Sequence, residues 1–158
     1  MIGSAVSTRS WMRIGVGLVA AMFAAPALAQ PTAQQVAEAA VQRVHEITEN
    51  TTAHLRTGAA RAVERIEELA ANQAPDPVII RFGRRAIEAL QSTADDGRGR
   101  IAETVQHAVM ILRRLQADPQ LIEAVLRAGH AGRERIGQAQ QHAVGAVRHA
   151  VEEAIGPG

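Results

Sequence analysis

A chain of 158 residues without one cysteine forms no disulfide framework and no thiolate metal site, and it offers no cysteine for lipid attachment. Its 17 basic residues are all Arg and face 16 acids; beyond residue 29, fifteen Arg remain against all sixteen acids, a net charge of −1. That near-neutral balance argues against bulk electrostatic binding to nucleic acid or to an anionic membrane, and the scarcity of aromatic residues argues against a strand-rich fold and an aromatic-walled enzyme pocket.

The first 29 residues read as a cleavable secretory signal peptide of bacterial style. Arg9 and Arg13 make a positive leading region, Ile14 to Ala25 is uncharged and mostly apolar, and Ala27-Leu28-Ala29 is a small-x-small cleavage site. The apolar run falls short of the roughly 20 residues that span a bilayer. No Arg-Arg pair precedes it, which points to the general secretion route. The mature chain is expected to start at Gln30, to be soluble in the periplasm or outside the cell, and to hold no transmembrane segment.

Residues 30–158 read as a single all-α domain, an elongated bundle of three long amphipathic helices at about 32–74, 77–117 and 119–156. Asp76-Pro77 and Asp118-Pro119 mark the second and third starts, because Asp caps free amide protons and Pro suits the next position. Ala74-Pro75-Asp76-Pro77 reads as a chain reversal and Ala117-Asp118 as a tighter link.

The apolar stripe of the first helix runs Val36, Ala40, Val44, Ile47, Thr51, Leu55, Gly58, Ala62, Ile66, Leu69. Steps of four, four and three give about 3.67 residues per turn, so any supercoil is weak and right-handed. The second stripe runs from Ile79 through Gly83, Leu90, Ala94, Gly97 and Ile101 to Leu115. The third runs from Leu121 through Val125, Gly129, Gly132, Ile136 and Gln140 to Ala154. Each internal Gly costs about 1 kcal/mol against Ala, so kinks or soft points are expected at 95–99 and 129–132.

An internal helical repeat is visible at an offset of 35 residues. Gly97-Arg98, Arg100-Ile101 and Gln106-His107-Ala108-Val109 return as Gly132-Arg133, Arg135-Ile136 and Gln141-His142-Ala143-Val144. The copies span about 76–117 and 118–158 and argue for stacked helical units.

Residues that carry chemistry are few. His142 and His149 share a helix face and are the weak candidates for a Zn, Cu or Ni site, although no His-x-x-x-His spacing occurs. The pairs Glu67-Glu68, Asp95-Asp96 and Glu152-Glu153 diverge by about 100° on a helix and do not converge on one reacting centre. No nucleophile elbow or phosphate-binding glycine loop is present. No catalytic residue and no cofactor is expected. Arg81, Arg84 and Arg85 form a basic cluster that suits an anionic surface or contact with the acidic first helix.

The functional expectation is an exported, non-enzymatic helical scaffold or protein-interaction protein of the bacterial envelope, with a protein partner or self-association. The alternative is an amphipathic lipid- or envelope-surface binder; a His-based periplasmic metal binder stands third. An Ala- and Gly-rich stripe favours helix–helix contact over lipid, where Trp, Phe and Lys are usual.

Overall fold

A computed structural model describes residues 31–156. The proposed signal peptide and its cleavage site at Ala29 lie outside the described residues. Three α-helices follow: α1 Ala33–Ala71, α2 Asp76–Arg114 and α3 Pro119–Ile155. At about 1.5 Å per residue, the 39-residue α1 and α2 are each about 58 Å long. The described residues include no strand.

Local chemistry sets the helix starts. Thr32 and Gln35 build a capping box at α1: the Gln35 amide donates to Thr32 Oγ1 at 3.2 Å, and the Thr32 amide donates to Gln35 Oε1 at 3.0 Å. Asp118 caps α3 as the sequence suggests, accepting from the Gln120 amide at 2.8 Å, with Pro119 in the first turn. At α2 the expectation needs correction. The N-cap is Pro75, Asp76 already belongs to the helix, and the cap makes no side-chain hydrogen bond. Asp76 therefore contributes only charge near the positive end of the helix dipole.

The two chain reversals share one device, and the second is no tighter than the first. Residues 72–75 and 115–118 are each four-residue connections. Each enters through a Gln in the left-handed region, Gln73 at φ 54° and Gln116 at φ 51°. The amide of Ala74 bonds Leu69 O at 2.9 Å while Gln73 bonds Ala70 O; likewise Ala117 bonds Leu112 O at 3.0 Å while Gln116 bonds Arg113 O. This is the Schellman pattern, which satisfies the last carbonyls and turns the chain back, with Gln standing where Gly is usual.

Successive helices run antiparallel, which leaves α1 and α3 parallel. Gly97 of α2 faces Thr51 of α1 and Gly129 of α3 faces Val105 of α2, whereas Gly132 of α3 meets Val44 and Thr48 of α1. The stripes read from the sequence meet in the centre. Leu55, Ile66, Ile101, Leu112, Val125, Ile136 and Val147 are fully buried. The larger core cluster reaches from Val44 to Ala150. A smaller one joins Ala37 and Ala40 to Ala108, Val109, Leu112 and Val125 near the start of α1. The described residues 31–156 thus belong to one compact unit.

Neither glycine-bearing stretch breaks its helix: α2 is continuous through 95–99 and α3 through 129–132. Tertiary packing explains the residue choice. A Cβ on Gly97 would lie 2.6 Å from both Oγ1 and Cγ2 of Thr51, and one on Gly132 would lie 2.6 Å from Thr48 Oγ1 and 3.1 Å from Ile101 Cδ1. These contacts are far inside the about 3.5–4.0 Å of ordinary packing, so the helices approach as closely as they do because no methyl group stands between them.

Residues 35 apart occupy matching places. Leu90 and Val125, Ala94 and Gly129, Gly97 and Gly132, Ile101 and Ile136, Ala108 and Ala143, and Leu112 and Val147 are all buried. Both Gly97 and Gly132 rest on threonines of α1, one turn apart. The buried Thr48 hydroxyl is satisfied inside its own helix, donating to Val44 O at 2.8 Å, and Thr52 donates to Glu49 O at 3.0 Å. Among the described residues no buried side-chain nitrogen or oxygen lacks a partner.

Candidate functional site

The fold divides the basic cluster. Arg81 and Arg85 stand one turn apart on the side of α2 that faces α1. Arg84 points to the side that faces α3. Two separate clefts result. The first, of about 310 Å³, is lined by Arg65, Leu69, Val78, Arg81, Phe82 and Arg85. The second, of about 410 Å³, places Arg84 and Arg148 beside Glu88 and Glu152, with Gly83 and Val151 among the lining residues.

The two clefts differ in charge. The cleft beside α3 holds two Arg and two Glu and is balanced. The cleft beside α1 holds three Arg and no acid in its lining. Of the three, Arg65 pairs with Glu68 at 2.6 Å. Arg81 and Arg85 make no ion pair within 4.0 Å among the described residues, and neither does Arg84. The acidic first helix therefore does not neutralise the cluster in the way its composition suggests: Glu64 and Glu67 also stand outside any ion pair among the described residues. Arg65 is the member that reading α2 alone misses. It lies eight residues before Gln73 and Arg81 lies eight after, so an antiparallel hairpin centred on that turn brings the two side by side.

The histidine candidates stay apart from any ligand set. His142 and His149 are both exposed on α3. His149 Nε2 approaches Glu153 Oε1 at 3.4 Å, one of three helical His–Glu pairs with His45–Glu49 and His130–Glu134. Among the described residues no group of three His, Asp or Glu is placed to hold a metal ion.

One inter-helix polar contact was not foreseen. Arg98 of α2 bonds Asp95 at 2.8 Å within its own helix and reaches across to donate to Gln140 Oε1 of α3. Gln140 is the polar member of the third stripe, and Arg98 satisfies it. A Cβ at Gly137 would meet Arg98 Nη2 at 3.5 Å, an ordinary contact, so this contact does not require glycine there.

Large apolar side chains that escape the core concentrate at the two ends of the bundle. Val41, Met110, Leu115 and Leu126 surround the end where α1 starts, α2 finishes and α3 starts; Val78, Ile80 and Ile155 are at the other. The middle of each helix exposes none among the described residues. No described helix is long and apolar enough to cross a membrane. No family model, no curated protein and no solved structure matches the chain.

Proposed function

We propose that the protein is an exported, non-enzymatic helical scaffold that engages a protein partner or a second copy of itself through the ends of its bundle. One observation carries this reading: the three stripes close on one another along the shaft, while the exposed large apolar residues gather at the ends, with Met110 at 46% and Leu126 at 49% exposure. Apolar surface that the fold does not use for itself is surface available for association. Duplication of a helical unit over 76–117 and 118–158 would be an economical origin for such a rod. Closure of the stripes weighs against the alternative in which they lie on lipid, because that state would have to open the core.

The test is site-specific photo-crosslinking in the envelope of the producing cell, with the reactive group at Met110 or Leu126 and at mid-shaft Arg100. The reading expects a reproducible crosslinked species from the end positions only, to one partner or to a second copy, lost in a Met110→Glu, Leu126→Glu variant. Equal labelling from Arg100, or a monomer in sedimentation at every concentration with no crosslink from either end, overturns it.

A further inference from the structure

We propose that the cleft between the end of α1 and the start of α2 is a binding site for a phosphate or carboxylate group carried on a small apolar body. Arg65, Arg81 and Arg85 line it together with Leu69, Val78 and Phe82, in a volume of about 310 Å³. Three guanidinium groups border one small cleft; all three residues are exposed, so water and salt screen their mutual repulsion, and an anion placed among them would face all three. No acid lines the cleft, and of its three arginines only Arg65 has an acidic partner, Glu68 on its own helix. Arg81 and Arg85 are left without an acidic partner among the described residues, although α1 carries six Glu.

Guanidinium is the side chain suited to this task. Its planar fork of donors matches the paired oxygens of phosphate and carboxylate, and it stays charged at every working pH. Arg81 and Arg85 are four apart, so their side chains rise from one face of α2 one turn apart and can close on a single anion from two levels. Phe82, Leu69 and Val78 give the cleft a small apolar edge, and most of its exposed lining is polar. The cleft sits at the small end of the usual range for ligand pockets, about 300–1,000 Å³, which suits a headgroup-sized molecule. The neighbouring cleft is the internal comparison: Arg84 and Arg148 share its lining with Glu88 and Glu152, so that lining carries no net charge, although none of the four forms an ion pair within 4.0 Å among the described residues.

Either a free organic phosphate or the headgroup of an anionic lipid has this chemistry. Isothermal titration of residues 31–158 with hexyl phosphate, and co-sedimentation with vesicles of phosphatidylglycerol in phosphatidylcholine, tell them apart. Each is run on the parent protein, on Arg81→Gln with Arg85→Gln, and on Arg84→Gln. All three positions are exposed, and circular dichroism checks that each variant keeps its helices. The expected result is saturable binding of hexyl phosphate that falls at least tenfold in the double variant and is unchanged in Arg84→Gln. Vesicle recruitment with that same dependence identifies the headgroup as the source; hexyl phosphate binding without recruitment identifies a free ligand. Absence of binding in both arms overturns the proposal, and so does an equal loss in Arg84→Gln, which would reduce the effect to general charge.

Discussion

Replacing Gly97 with Ala tests the packing of the bundle most directly. In an isolated helix the change gains about 1 kcal/mol from propensity. In this bundle the new methyl group would meet Thr51 Oγ1 and Cγ2 at 2.6 Å and Thr51 Cβ at 3.1 Å. Thr51 is buried and β-branched, so rotation about χ1 exchanges one offending atom for the other. Relief requires α1 and α2 to move apart, and such overpacking costs about 1–3 kcal/mol. Gly97→Ala is therefore expected to be neutral to about 2 kcal/mol less stable than the parent. Gly145→Ala is the control: it adds the same methyl group to an exposed helical position with nothing within 4 Å, and should gain up to about 1 kcal/mol. Urea unfolding followed by circular dichroism measures both. Thr51→Ala in the Gly97→Ala background should recover part of the loss, a favourable coupling in a double-mutant cycle. If Gly97→Ala stabilises as much as Gly145→Ala, the close-approach explanation of the helical glycines is wrong.

The helix ends supply two further predictions. Asp118→Ala removes a cap that accepts a hydrogen bond and should cost about 1 kcal/mol, whereas Asp76→Ala removes only a charge near a helix N-terminus and should cost about 0.3–1 kcal/mol, less than its counterpart in the same unfolding assay. Gln73→Gly and Gln116→Gly each place the permissive residue at a left-handed φ and should raise stability by up to about 1 kcal/mol; a lower thermal midpoint for both would show that the Gln side chains hold the turns in some other way.

Much of the architecture is legible because helix formation and amphipathic phase are local. Seven of the ten stripe positions read for α1 are buried, and the other three, Val36, Gly58 and Leu69, are half-buried. Thr51, a polar residue placed on that stripe by spacing alone, is among the buried ones. The Asp118-Pro119 start holds to the residue, and Asp76-Pro77 misses by one because Pro75, already extended, takes the cap. The left-handed turns escaped because Gln carries no glycine-like signal, although a Gln-Ala pair precedes both Asp-Pro starts.

The amino-acid sequence by itself determined that this chain would be three long helices and which stripe of each would face inward, since spacing, caps and propensity act within a few residues. Only the tertiary structure decided what lies across from each position. It turned Gly97 and Gly132 from expected weak points into contact points, because each faces a threonine of α1 that leaves no space for a methyl group. It also parted Arg84 from Arg81 and Arg85 and joined those two to Arg65, because a helix in a three-helix bundle shows its two flanks to two different neighbours. Those relations depend on register between segments distant along the chain, and no local property of either segment encodes it.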